Sequence, residues 1–251
     1  NAIMQNIFCR LSCKRADKII AVSEATKKDI VSLLSIDANR ITAILNGGGY
    51  GEYITPSDAE CKKIKKRFEI EAEPFFAYIG NIEPRKNIVT ILKAFEIACD
   101  RLDKNVSLIL AGKLSWRTQP IIEAIELNKY KNQIHLPGYI SEEEKKYLMH
   151  NACAFVFPSN YEGFGIPVVE AMSCGGVVIT ANNSSLKEVG GKAAFYVQKT
   201  DEVAQLADRM LQCFNLSDSE RKKIMVDGES WAAQFSWKKC AHETQAVLEQ
   251  G

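Results

Sequence analysis

The chain has 251 residues, 46% hydrophobic and 25% charged, with a formal net charge of +1. That is enough for one large domain or one and a half, and so near-neutral a balance argues against nucleic acid as a partner. No apolar run approaches the ~20 residues of a membrane-spanning helix; no signal peptide is visible, and the opening on Asn1 without a methionine predicts a start further upstream. Residues 1–16 place Ile3, Ile7, Phe8 and Leu11 at helical spacing. Lys18 to Val22 reads as a short buried strand, and Ser23, with Thr26 as a second candidate, caps a helix reaching about Leu34. Ile41 to Leu45 is a second strand, ending in Asn46-Gly47-Gly48-Gly49-Tyr50-Gly51, whose four glycines read as a hinge or linker. The other reading, a phosphate-cradling loop, lacks both a directly following helix and a Gly-Lys-Ser/Thr ending. The basic run Lys62, Lys63, Lys65, Lys66 and Arg67 reads as a solvated helix face, with attraction to anionic lipid the alternative.

From Pro74 onward strands and helices alternate. The strands are Phe75 to Ile79, Val106 to Ala111, Ile134 to Leu136, Ala152 to Phe157, Val177 to Thr180 and Phe195 to Val197. Between them come helices over Asn87 to Cys99 and Gln119 to Leu127, one opened by the capping box Ser141-Glu142-Glu143-Glu144 and running to His150, and one over 166–173. Helices over 201–214, 218–232 and 237–249 close the chain. This alternation predicts an α/β fold with a doubly wound parallel sheet, ligands binding at the carboxyl ends of its strands.

Tyr161-Glu162-Gly163-Phe164-Gly165-Ile166-Pro167-Val168-Val169-Glu170-Ala171 is the stretch richest in chemistry. A strand, a glycine turn and a helix with proline in its first turn follow one another. The free amides of Gly165, Ile166 and Val168, with the helix dipole, suit a phosphate, and Gly163 and Gly165 admit it closely. Glu170, one turn in, suits paired hydroxyls such as those of a ribose. Such turns occur throughout doubly wound proteins, and an early helical Glu also complements the dipole; what adds specificity is the pair of carboxylates flanking the turn. Arg85 and Lys86, in Gly80-Asn81-Ile82-Glu83-Pro84-Arg85-Lys86-Asn87, stand at another strand's carboxyl end. They read as badly placed for structural pairing and well placed to reach a diphosphate, with a solvated basic loop as the alternative.

Cys9, Cys13, Cys61, Cys99, Cys153, Cys174, Cys213 and Cys240 are scattered without a Cys-x-x-Cys pair, which predicts reduced, largely buried thiols in a cytosolic protein. His135, His150 and His242 have no ligand-like spacing, so no metal site is expected.

The segment from Phe157-Pro158-Ser159 through Gly176 resembles the E-x7-E signature of the retaining glycosyltransferases of family 4, which have the GT-B fold. The resemblance implies the Rossmann-like C-terminal half of that fold with a remnant of the N-terminal domain. Its expected parts are the tail of an acceptor domain over 1–46, a linker and connecting helix over 47–73, a nucleotide-sugar donor domain over 74–234 and a crossover helix over 235–251. Gly80 to Asn87 resembles the family's phosphate-binding loop; many relatives have arginine after the glycine where this chain has Asn81, and the role passes to Arg85 and Lys86. Gly112 would place an amide near the donor, and Gly138-Tyr139-Ile140 resembles the base-reading segment. Ser184 to Val189 resembles the family's "SLPEV" stretch with Lys187 in place of proline.

The implied catalytic set is Glu162, Arg85 and Lys86. The implied donor-binding set is Gly80, Asn81, Gly112, Tyr139, Ile140, Ser159, Gly163, Phe164, Gly165, Ile166 and Glu170. The expected activity is metal- and cofactor-independent, retaining transfer of a sugar, with GDP-mannose favoured and a UDP-sugar next, to a glycan or lipid-linked acceptor. Expected partners are the missing N-terminal domain and, through apolar surface on the strands near 18–22 and 41–45 and on the closing helix, a second copy; the setting is cytoplasmic, with peripheral contact at the inner membrane face in the whole protein. Two alternatives stay open: a non-catalytic nucleotide-sugar-binding module and an inactive donor-domain fragment. A nicotinamide dehydrogenase would need Gly-x-Gly-x-x-Gly at a first turn, whereas Gly163-Phe164-Gly165 has Val168 in third place and lies late in the sheet.

Overall fold

The computed structural model describes residues 2–50, 53–70 and 74–249; Gly51 of the predicted linker lies outside them, as does the side chain of Ile3. The chain opens with α1 (Ala2–Arg15), β1 (Ile19–Ala21), α2 (Glu24–Leu34) and β2 (Ile41–Ala43). Ser23 caps α2, its hydroxyl accepting from the Thr26 amide at 3.0 Å, so the first of the two predicted caps is the one used. β1 and β2 pair in parallel as a separate two-stranded sheet over a small core of Ala21, Ile36 and Ile41.

After α3 (Asp58–Arg67), which carries the basic run, come β3 (Phe75–Ile79), α4 (Ile88–Asp100), β4 (Ser107–Ala111), α5 (Gln119–Glu126), β5 (Ile134–Gly138) and α6 (Glu142–Asn151). β6 (Phe155–Phe157), α7 (Ile166–Ser173), β7 (Val178–Ala181), α8 (Leu186–Gly190) and β8 (Phe195–Val197) complete the sheet, and α9 (Val203–Phe214), α10 (Asp218–Ala232) and α11 (Trp237–Leu248) close the chain. Every predicted strand and helix is present. The short α8 was not anticipated, because a single turn and a half offers too little periodicity to read. All eight cysteines are free, but only Cys99, Cys174 and Cys213 are buried and Cys9 is exposed, so the thiols are less enclosed than expected.

The six-stranded sheet is parallel throughout, in the order β5-β4-β3-β6-β7-β8. Counted from its own first strand this is the order 3-2-1-4-5-6 of a doubly wound nucleotide-binding sheet, with the direction of winding reversing between β3 and β6. β3 and β6 are buried at every position, which explains why their sequences are unbroken apolar runs instead of alternating ones. Right-handed crossovers that leave β3 in opposite directions put helices on both faces; α9 packs on α4, and α10 on α7. Phe235 stands edge-on to both Phe164 and Trp231, leading the chain into α11 beside Gly47. In a sheet wound this way the ligand crevice lies at the carboxyl ends of the strands where the winding reverses, and the two motif loops follow β3 and β6 at that point.

Candidate functional site

β3 runs into Gly80, and a single 3-10 turn, Pro84–Lys86, folds the loop back. The loop after β6 lies against it: the Asn160 amide donates to the Arg85 carbonyl at 2.9 Å, and the Ser159 hydroxyl reaches the same carbonyl at 3.2 Å. Across this seam Lys86 Nζ lies 2.6 Å from Glu162 Oε1, and Arg85 Nη1 lies 3.0 Å from the same oxygen. Arg85 also donates to Glu83 at 2.8 Å and to the Tyr161 carbonyl at 2.7 Å. The Lys86 and Glu162 side chains are each only 11% exposed, and Lys86 Nζ stands 4.8 Å from the centre of the Phe157 ring. Burial works to lower the Arg85 pKa, but the Glu162 and Glu83 carboxylates outweigh it and hold the guanidinium above its ordinary value.

These cations are therefore paired, against the expectation that they were badly placed for it. Their partner comes from a loop 76 positions away that becomes adjacent only because β6 is the neighbour of β3. Glu83, unmarked in the sequence reading, is the fourth member of the cluster. Two cations and two carboxylates thus form one partly buried network, with Arg85 bridging Glu83 and Glu162 and Lys86 closing on Glu162.

The turn into α7 is held by its carbonyls. Ser23 Oγ and Thr26 Oγ1 donate to the Gly163 carbonyl at 2.7 and 3.1 Å, and Ser185 Oγ lies 2.7 Å from the Phe164 carbonyl. Ser184 Oγ accepts from the Glu162 amide at 3.1 Å. Gly165 sits at the N-cap with φ +106°, a conformation that strongly favours glycine, and its added Cβ would lie 2.9 Å from Leu186 Cδ2. Among the described residues the amides of Gly165 and Ile166 have no partner. Val168 does not join them as expected: its amide donates to the Gly165 carbonyl at 2.9 Å, closing the first turn. Phe164 is buried against Phe235 and Ser159 is buried in the seam, so neither presents its side chain to the crevice.

Glu170 Oε1 accepts from the Tyr50 hydroxyl at 2.8 Å and lies 3.3 Å from Lys145 Nζ. Tyr50 comes from the glycine run expected to be a linker, and Lys145 from α6, so both partners reach Glu170 only through the tertiary fold. The remaining residues line the next strand ends. Gly80 donates to the Ala111 carbonyl, the Asn81 carbonyl accepts from the Tyr78 hydroxyl at 2.8 Å, and the Asn81 side chain is exposed. The Gly112 amide, expected near a donor, is already bound to the Gly138 carbonyl at 2.8 Å, a contact that ties the ends of β4 and β5. Tyr139 is 83% exposed and gives its carbonyl to Arg67 Nη2 at 2.9 Å, while Ile140 is buried. Among the described residues no group of three or more His, Cys, Asp or Glu could hold a metal ion, and no helix is long and apolar enough to cross a membrane.

Solved structures share this architecture. A glycosyltransferase from Rickettsia africae superposes with a TM-score of 0.80 at 18% identity, over 93% of this chain and 63% of that one. Anabaena Alr3699/HepE in complex with UDP-glucose gives 0.82 at 19% identity, over 96% and 66%. Among curated proteins, the O-antigen chain mannosyltransferase B of Escherichia coli is 34% identical over 233 residues, 93% of this chain. The serotype-specific mannosyltransferase WbdA of Escherichia coli is 27% identical over 236 residues. The chain spans 60% of the length of the first relative and 28% of the second. A sequence model described as "Glycosyl transferases group 1" matches residues 60–228, from α3 into α10 and across the whole sheet. The chain belongs to the group 1 glycosyl transferases, and its six-stranded sheet is the Rossmann-like half of their GT-B fold.

Proposed function

We propose that this chain forms the nucleotide-sugar half-site of a retaining hexosyltransferase that moves mannose from GDP-mannose to a glycan or lipid-linked acceptor. The observation that carries the reading is the Arg85–Lys86–Glu162 cluster at the switch point, with Glu162 in the loop that leads to the two unpartnered amides at the start of α7. When a sugar leaves a nucleoside diphosphate, negative charge develops on the departing phosphates, and a fixed cluster of cations and amides is the arrangement that stabilises it. Arg85 and Lys86 turn from Glu162 to the diphosphate, and the freed carboxylate faces the sugar as a positioning group. Glu170 holds the ribose. The names of the curated relatives favour mannose, and the Anabaena complex keeps a UDP-sugar as the runner-up donor.

A second reading has its own observation: the chain spans only 60% of the length of its E. coli relative. An acceptor must reach the donor from the far side of a cleft, so by itself this chain binds donor and transfers little. Calorimetric titration with GDP, UDP, GDP-mannose and UDP-glucose tests the proposal, beside the Glu170→Gln variant. The reading expects one diphosphate to bind and Glu170→Gln to weaken it. A wild-type chain that binds none of the four ligands would sink it.

A further inference from the structure

The glycine run that reads as a linker does not behave as one. A linker needs glycine for freedom and leaves open space around it; here Gly47, Gly48 and Gly49 are needed because the backbone lies on a helix. A Cβ on Gly47 would fall on the backbone of Trp237, one on Gly48 would lie 2.8 Å from Val169 Cγ1, and one on Gly49 would lie 2.9 Å from Ser173 Cβ. Gly49 also has φ +91°. The strap is fastened as well as flush. The Gly48 amide donates to the Phe235 carbonyl at 3.0 Å, and the Tyr50 amide donates to Ser173 Oγ at 3.1 Å. That serine hydroxyl in turn donates to the Glu170 carbonyl at 2.8 Å. Tyr50 is thus tied to the helix that carries Glu170, within one turn of it.

We infer that Tyr50 is a positioning residue of the donor site, laid along α7 by the glycine strap so that its hydroxyl orients the Glu170 carboxylate toward the ribose. The inference rests on the reading of Glu170 as the ribose-binding group. Oε1 receives the Tyr50 hydroxyl at 2.8 Å and Lys145 Nζ at 3.3 Å, whereas Oε2 has no partner among the described residues. One oxygen is anchored and the other is left to accept, which is how a prepared acceptor differs from a closed structural pair. Lys145 and Lys146 stand 4.8 and 4.7 Å from the centre of the Tyr50 ring and hold it from the α6 side. Burial first, and then the carboxylates of Glu170 and Glu142, push the hydroxyl far above the ordinary tyrosine range, so it remains a neutral donor. The opposed account makes the hydroxyl a stand-in that the ribose displaces. A side chain on a mobile tether would suit that account; one fastened to α7 itself does not.

The test is calorimetry on wild type, Tyr50→Phe, Ser173→Ala and Glu170→Gln, with GDP, UDP and their 2′,3′-dideoxy counterparts, and a melting curve for each. Tyr50→Phe should weaken the preferred diphosphate about five- to tenfold, the reach of one lost hydrogen bond. It should leave the dideoxy ligand and the melting temperature unchanged. Ser173→Ala, which unfastens the strap without touching either functional group, should give a smaller loss of the same kind. Tyr50→Phe binding as tightly as wild type, or tighter, while Glu170→Gln is weak would overturn the inference and leave the donor site standing. Equal binding of both ligand forms by wild type, with Glu170→Gln no weaker, would overturn the ribose reading and this inference with it.

Discussion

Glu162 holds two cations, and that fact reorders what single substitutions should do. Arg85→Ala or Lys86→Ala should weaken a nucleoside diphosphate by about 1.5–3 kcal/mol, the range for hydrogen bonds to charged groups. The parent nucleoside should bind unchanged; equal losses for both ligands would remove the phosphates from the picture. Lys86→Ala should cost the more stability of the two, because it strips a mostly buried carboxylate of its 2.6 Å partner, whereas Arg85 is 43% exposed and shares itself between two carboxylates. Glu162→Gln acts in the other direction. Releasing both cations should leave nucleotide affinity intact or raise it, while impairing any step that depends on the sugar. Titrations with diphosphate and with nucleotide-sugar separate the two effects, and a Glu162→Gln chain that loses diphosphate binding would contradict the exchange of anions.

At the scale of elements, the N-terminal segment grips the site through α2. Its cap, Ser23, also holds the Gly163 carbonyl, Glu188 of α8 accepts from the amides of Glu24 and Ala25 at 2.9 and 2.7 Å, and Tyr161 donates to Asp29. Ser23→Ala removes a cap and a buried hydrogen bond together, and should lower stability by about 1–2 kcal/mol in urea denaturation. Gly165→Ala forces a side chain into a positive φ against Leu186, at about 1–3 kcal/mol, and should displace the amides that face the crevice. The Tyr161 contact has a pH window. The hydrogen bond to Asp29 first, and then burial, push the phenol up to about 12 from 10.0. Its folded value is raised, so its contribution is complete below pH 10 and fades as pH rises toward 12. Urea titrations should show the Tyr161→Phe penalty constant from pH 6 to 9 and shrinking above 10; a penalty that grows with pH would refute the assignment.

For the whole molecule, the half-site should fold and bind alone, because the main core spans α3 to Phe235 without help from β1 and β2. Met4, Ile7, Phe8 and Leu11 on α1 are each about half exposed and fall on one face at helical spacing. That stripe predicts concentration-dependent self-association of the 251-residue chain, which Phe8→Glu with Leu11→Lys should abolish in size-exclusion runs without changing nucleotide affinity. A double variant that associates as before would show that α1 is not the contact. Nucleotide at a hundred times its Kd should stabilise the chain by about 2.7 kcal/mol, raising the melting temperature accordingly.

The sequence by itself was enough for the strands, for the helices other than the short α8 and for the double winding of the sheet, because apolar runs of strand length alternating with amphipathic helices are local patterns written by burial. It also marked Glu162 and Glu170, Arg85 and Lys86, since each pair lies within one short motif. Partnership was a different matter. That Glu162 closes on Lys86, that Ser23 holds Gly163, and that Tyr50 reaches Glu170 depend on segments 76, 140 and 120 positions apart meeting in space. Glycine shows why such meetings stay hidden: in sequence a Gly-rich run signals freedom, yet at Gly47 to Gly49 the missing Cβ lets the backbone press on α7 and α11. A residue type limits what a position can do locally, and only the tertiary fold decides what stands opposite it.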